Sequence, residues 1–269
     1  MRGWRAGDAP VRRERFADRV VLVTGSTGMG EAAARAIATE GGSVFVASKT
    51  PDNARALAES ISEAGGRARW LAADLAQEEA AESAVGECVA TFGRLDAVFN
   101  VAGISGRRFG DGPVHELTTE GWDTVMAANV RSMFLVTRSA IRQMLAQGGG
   151  AILNMSSVLA EHPAAPLFST HAYAASKGAI NAFSLAVAAH YGRDGIRVNV
   201  IAPAMVATPM SRRAQQDPAI LDHLRDRQPL TGGPIAFEDV VGTVLFLLSD
   251  DSRMVTGQVV AVDGGWGVS

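Results

Sequence analysis

Val20-Val21-Leu22-Val23-Thr24-Gly25-Ser26-Thr27-Gly28-Met29-Gly30-Glu31-Ala32-Ala33-Ala34-Arg35-Ala36-Ile37-Ala38 is the stretch whose reading decides the fold. It opens on a short apolar, β-branched run, the composition of a strand buried on both faces. It closes on eight residues dominated by strong helix formers. Between them lies a turn with glycines at 25, 28 and 30. Strand, glycine turn and helix N-terminus in that order cradle a pyrophosphate. Glycine lets the backbone approach, and free N–H groups with the helix dipole face the anion.

Outward from this unit the same rhythm repeats. Strands are predicted at 43–47, 67–71, 96–100, 151–155, 197–201 and 258–262. Helices are predicted at 52–64, 78–92, 119–146, 172–191 and 236–248. Strict alternation of strand and helix predicts an α/β fold, a doubly wound parallel seven-stranded sheet of Rossmann type in a single domain. A polar stretch over 204–233 interrupts the rhythm. Residues 1–15 carry five arginines among Gly and Pro without periodicity and are predicted to be a mobile tail, with the fold starting near Phe16.

Composition narrows the function. The 269 residues suffice for one large core, and 47% hydrophobic with 20% charged residues describes a soluble globular chain. A net charge of −3 argues against nucleic acid or an anionic membrane as partner, and no apolar run reaches membrane-spanning length. The single cysteine, Cys88, sits in a helical pattern as a buried or neutral thiol and fits a reducing, cytoplasmic compartment. The five histidines show no metal-ligand spacing, so no metal is expected.

Lysine is rare here: two, Lys49 and Lys177, among 25 basic residues. Tyrosine is equally rare, and Tyr173 stands four residues before Lys177 in a helical pattern, one turn stacked on the next. A phenol is a poor acid or base at neutral pH, and an ammonium beside it would favour the phenolate and lower its pKa. The bland alternative is an exposed Tyr and Lys on an ordinary helix.

With these motifs Asp74, Asn100-Val101-Ala102-Gly103, Asn129, Asn154-Met155-Ser156-Ser157, Pro203 with Thr208, and Val262-Asp263-Gly264-Gly265 fall in order. In this the chain resembles the short-chain dehydrogenase/reductase family in its compact single-domain form, over residues 16–268. The resemblance implies an oxidoreductase that moves a hydride between a nicotinamide dinucleotide and a ketone or secondary alcohol. It implies Asn129, Ser157, Tyr173 and Lys177 as the catalytic group. Tyr173 would be the acid or base, and Lys177 would tune it and hold the nicotinamide ribose. Ser157 would bind the substrate oxygen, and Asn129, through a break in its helix, would hold a relay water. Ser156 is the competing serine. For the cofactor, the resemblance points to Gly25, Ser26, Thr27, Gly28, Met29, Gly30, Ser48, Lys49, Asp74, Leu75, Asn100, Ala102, Gly103, Tyr173, Lys177, Pro203, Val206 and Thr208. Asp74 could instead cap the following helix, and Asn100 could be a strand-end turn residue. The stretch 204–233 becomes a substrate lid, and the two long helices become the faces of a homodimer or homotetramer.

Four departures from the family pattern stand out. Only Ser26 and Thr27 separate the first two glycines, where compact members place three residues. Val101 replaces the usual second Asn, and Ala204 replaces the usual Gly after Pro203. The loop from Ser157 to Tyr173 is about three residues longer than is common and is apolar and proline-rich from Leu159 to Phe168, with His162 and His171 beside the expected pocket.

Cofactor choice turns on the end of the second strand. NAD-using members place an Asp or Glu there, whereas this chain has Ser48 and Lys49, a hydroxyl and a cation suited to a 2′-phosphate. NADP(H) is therefore expected over NAD(H). The full catalytic group sets the chain apart from silent dinucleotide-sensing regulators of this fold. Gly148 and Asp194 occupy the positions where acyl-carrier-protein reductases present basic residues, although Arg142 and Arg193 lie nearby. A small-molecule carbonyl or alcohol is the expected substrate.

Overall fold

The alternation read from the sequence becomes seven parallel strands in the order β3-β2-β1-β4-β5-β6-β7, in a computed structural model that describes residues 14–269. The strands are β1 (Val20–Thr24), β2 (Ser43–Ser48), β3 (Arg67–Ala72), β4 (Ala97–Asn100), β5 (Gly150–Met155), β6 (Ile196–Pro203) and β7 (Val259–Val262). The helices are α1 (Met29–Thr39), α2 (Pro51–Glu63), α3 (Glu78–Phe92), α4 (Thr119–Met126), α5 (Ser132–Gln147), α6 (His171–Tyr191), α7 (Pro218–Arg227) and α8 (Phe237–Leu248). The chain runs outward from β1 in one direction and then, from β4, in the other. That reversal opens a crevice at the carboxyl ends of the central strands.

Every residue of β1 is buried, and its alternating side chains divide between two cores. Val21 and Val23 pack with α1, α2 and α8; Val20 and Leu22 pack with α3, α5 and α6. Each fully buried Val or Leu contributes about 1.5–3 kcal/mol, which is why such strands read as unbroken apolar runs. Cys88 is fully buried on α3, and burial, aided by the charge of Asp96, pushes its thiol up to about 12.

Three expectations change. Most of the predicted tail, 1–13, lies outside the described residues, but Arg15 belongs to the fold because its guanidinium pairs with the buried Glu40. The helical region expected over 119–146 is two helices, and the break expected at Asn129 is the π turn Ala127–Arg131 that joins them. The stretch 204–233 contains a helix, α7, capped by the Asp217 side chain and started by Pro218 at its first position. A third apolar cluster joins α7 to the 158–170 loop and the C-terminus through Val158, Ala164, Met205, Ile220, Leu224 and Trp266. Among the described residues, no helix is long and apolar enough to cross a membrane.

Candidate active site

The glycine turn lies at the carboxyl end of β1. The N–H groups of Ser26, Thr27 and Gly28 carry no hydrogen bond among the described residues, and no side chain caps α1. A Cβ at Gly30 would stand 2.6 Å from the Gly25 carbonyl oxygen, so the shortened turn closes tightly onto its helix only with glycine there. Thr208 and Pro209 line the outer side of Gly28. Free donors at a helix start with open backbone fit a dinucleotide phosphate. The Met29 side chain, buried among apolar neighbours, leaves only its backbone for that task, and the same holds for Leu75 and Val206.

At the end of β2, Ser26 Oγ donates to Ser48 Oγ at 2.9 Å. Lys49 is 77% exposed and its Nζ donates to Asp74 Oδ2 at 2.7 Å. That bond, more than any other cause, holds the Asp74 carboxyl below its ordinary pKa. Asp74 also accepts weakly from the Ala76 N–H.

Asn100 differs from its expected placement. Its amide donates to Thr137 Oγ1 and Asn154 Oδ1, at 3.1 and 2.9 Å, inside the protein rather than toward the crevice. The turn after it is held by Thr24, whose hydroxyl accepts from the N–H groups of Val101 and Ala102 at 3.0 and 3.2 Å. A Cβ at Gly103 would lie 2.9 Å from Asn129 Oδ1, so glycine lets that turn meet the proposed catalytic group. Pro203 closes β6, and Thr208 is locked with Ser211 through both its N–H and its hydroxyl.

The structure brings Asn129, Ser157, Tyr173 and Lys177 to one place. Asn129 sits in the π turn with its amide fully engaged. Oδ1 accepts from the Ile104 N–H at 2.7 Å, and Nδ2 donates to the Ile104 carbonyl and Ser176 Oγ. The Ser157 side chain lies near enough to the Tyr173 hydroxyl to favour its ionised form, and its Oγ accepts from the Leu159 N–H at 3.2 Å, while Ser156 Oγ donates to the Lys177 carbonyl in the interior, so the two serines face different partners. Lys177 Nζ lies 5.4 Å from the Tyr173 ring centre and donates to the Met155 carbonyl at 2.8 Å.

The electrostatics correct the expectation that Lys177 depresses the Tyr173 pKa. Burial pushes the phenol up, only partly offset by the Ser157 hydrogen bond, and burial pushes Lys177 down to about 8. Each group is moved toward its neutral form, because desolvation outweighs an ammonium directed at a backbone carbonyl.

Asp111 is the residue that sequence reasoning missed. Its two carboxylate oxygens accept from the Ala172 and Tyr173 N–H groups, at 3.0 and 2.9 Å, where Thr170 supplies no side-chain cap of its own. A carboxylate 61 residues upstream thus fixes the start of the helix carrying Tyr173. The signal for it was a lone Asp between Gly110 and Gly112. His171 is exposed at the start of α6, and His162 is exposed in the preceding loop, its carbonyl accepting from Trp266 Nε1. Among the described residues no three His, Cys, Asp or Glu gather as metal ligands would.

Comparison with known proteins covers almost the whole chain. A family model described as enoyl-(acyl carrier protein) reductase matches residues 23–267. A probable short-chain type dehydrogenase/reductase of Bradyrhizobium diazoefficiens is 41% identical, over 93% of this chain and 88% of its own length. A cyclopentanol dehydrogenase of Comamonas testosteroni is 36% identical, over 94% and 98%. A gluconate 5-dehydrogenase from Burkholderia cenocepacia, solved with NADP and tartrate, superposes with a TM-score of 0.88 at 30% identity, over 96% and 98%.

Proposed function

The chain belongs to the short-chain dehydrogenase/reductase family and is an NAD(P)-dependent oxidoreductase, and from that premise we propose that it interconverts a secondary alcohol and its ketone with Tyr173 as acid and base. The observation that carries this reading is Lys177 Nζ 5.4 Å from the Tyr173 ring centre, one turn further on α6, with the Ser157 side chain beside the phenol. When bound, the nicotinamide supplies or accepts the hydride. The protein supplies position and protons. Ser157 holds the substrate oxygen, and Tyr173 gives that oxygen its proton in reduction and takes it in oxidation. Lys177 holds the nicotinamide ribose, and Ser157 is the group that favours the phenolate. The Asn129 amide is engaged by Ile104 and Ser176, so the part of Asn129 in holding a relay water falls to its backbone in the π turn.

The segment 204–233 is the substrate lid of this reading, since its cluster with the 158–170 loop makes an apolar wall beside the catalytic group. That wall suits a hydrocarbon ring, the substrate type in the name of the cyclopentanol dehydrogenase relative. Trp122, Phe134, Leu145 and Leu185 leave apolar surface exposed on α4, α5 and α6, which supports a homodimer or homotetramer.

NADP(H) is the preferred cofactor in this proposal. No acidic residue ends β2; Ser48 does, and the exposed Lys49 uses one of its three donors on Asp74 and keeps two for a 2′-phosphate. The test is a panel of cyclic and open-chain alcohols and ketones with both cofactors, read by absorbance of the reduced nicotinamide. Turnover of a secondary alcohol or ketone supports the activity, and turnover of none overturns it. A higher kcat/KM with NADP(H), reversed by Ser48→Asp with Lys49→Ala, supports the cofactor assignment. Equal or better use of NAD(H) by the wild type overturns it.

A further inference from the structure

Tyr173 is only the third residue of α6, in the turn where a helix frays unless its free N–H groups find partners. Thr170, at the cap position, offers no side-chain bond. The first four N–H groups are nonetheless all satisfied, three of them by the loop between β4 and α4. The Ala172 and Tyr173 N–H groups donate to the two carboxylate oxygens of Asp111, at 3.0 and 2.9 Å. The His171 N–H donates to the Gly112 carbonyl at 3.3 Å, and the Ala174 N–H bonds within its own turn, to Thr170.

The loop that supplies these acceptors is itself seated. It carries a short 3-10 turn, Arg107–Phe109, and near its start the Asn129 amide holds both the N–H and the carbonyl of Ile104. Asp111 lies against Gly106, where a Cβ would come 2.8 Å from Asp111 Oδ2 and 2.3 Å from Val125 of α4. Further on, the Thr118 N–H donates to the Gly110 carbonyl. A second path closes the ring: Asn129 Nδ2 donates to Ser176 Oγ, which donates to the Tyr173 carbonyl, at 3.0 and 2.7 Å. Lys177 stands one turn deeper on α6 with its Nζ on the Met155 carbonyl, and Ser157 follows the end of β5. Of these three, Tyr173 is the one whose backbone is bonded directly to the loop.

Resting on the reading of Tyr173 as acid and base, we propose that Asp111 is a positioning residue for proton transfer: it tethers the first turn of α6 to the β4–α4 loop, so that the phenol takes its reactive place only while that loop is seated. Proton transfer tolerates little displacement, and a shift of about 1 Å at a reacting group costs about a hundredfold in rate. A simple helix cap acts differently, because it needs no loop.

A local cap separates the two roles. Thr170→Asp puts a carboxylate at the cap position, where it accepts from the same first-turn N–H groups without the loop. Asp111→Ala should lower kcat about tenfold to a hundredfold, with KM for dinucleotide and ketone moved by less than about threefold. Asp111→Asn, which keeps one acceptor oxygen, should lose less. Thr170→Asp added to Asp111→Ala should restore Tm but leave kcat low. A second readout needs no turnover. Tyr191→Phe leaves Tyr173 as the only tyrosine of the chain, so near-ultraviolet absorbance follows its phenolate alone. In that background the Asp111→Ala, Thr170→Asp protein keeps a carboxylate at the helix start but frees the phenol to meet water. Its titration should therefore move to lower pH, since burial is what raises it. A kcat restored together with Tm, or a kcat that Asp111→Ala leaves within about twofold of wild type, overturns the tether. Should no ketone or alcohol turn over, the oxidoreductase reading fails on its own and the titration decides the tether. A displaced curve supports it, and an unmoved curve overturns it.

Discussion

Asp96 and Asp111 are both buried carboxylates, one before β4 and one after it, at opposite ends of the sheet. Asp96 accepts from the Val20 N–H and from the guanidiniums of Arg94 and Arg19. Around it Arg15 is tied to Glu40, and Arg197 donates to the carbonyls of Leu247, Ser249 and Val255. Asp111 accepts only backbone N–H groups and leaves Arg107 without a partner. Charge at the first end is consumed in joining strand starts to loops. At the second end donors are held in place but left with capacity, which is the condition for taking a ligand. The difference teaches that stability and chemistry use separate sets of charged residues here, so each can be disturbed alone.

The strongest way to break that division is Tyr173→Phe, which keeps the ring and removes the proton. It should lower kcat about 10²–10⁴-fold with only a small change in Tm. Retention of more than about a hundredth of wild-type kcat would show that Tyr173 is not the acid. Next in size is Asp96→Ala at the other end. Removing the acceptor of two arginines and a backbone N–H should cost about 3–4 kcal/mol and lower Tm by about 10 °C. The kcat per folded molecule should be unchanged, and an unaltered Tm would remove the structural reading of that cluster.

The smallest effect sharpens the comparison through pH. In the folded protein Lys177 titrates near about 8, against 10.5 for an ordinary lysine. Between those values the unfolded chain holds a proton that the folded chain has lost, so folding stability rises with pH across the window. That is the reverse of a lysine in an ion pair. The gain should be about 2–3 kcal/mol relative to Lys177→Met, measured by urea unfolding up to pH 10. The limit keeps Tyr173 out of the result, since its raised pKa would lower stability above that point. Parallel wild-type and Lys177→Met curves would show that burial does not disfavour the ammonium.

Local pattern made much of this molecule legible. The bounds of β1 and α3 were readable because Val20–Thr24 is an unbroken apolar run and Glu78–Phe92 is closed by Gly93 in the left-handed conformation. The catalytic four were readable as a constellation of motifs. The break at Asn129 was readable only through the family resemblance, because Ala-Ala-Asn-Val-Arg has nothing in its helix propensity to mark an extra residue. Asp111 was hidden because its partners lie 61 and 62 residues away. The Tyr173 pKa, expected to fall and instead raised, was misjudged for a related reason. Four-residue spacing shows that two side chains share a helix face, but not that one is directed at the Met155 carbonyl.

One feature of the interior bears on how motion near the site can be observed. The sole cysteine of all 269 residues is Cys88, sealed inside α3 with its thiol near about 12. At neutral pH such a thiol is almost never a thiolate, so alkylating dyes and spin labels pass it by. The chain is therefore spectroscopically blank toward thiol chemistry. One cysteine placed at the exposed Met210 would carry the only label in the molecule, and its signal would report the 204–233 segment without background.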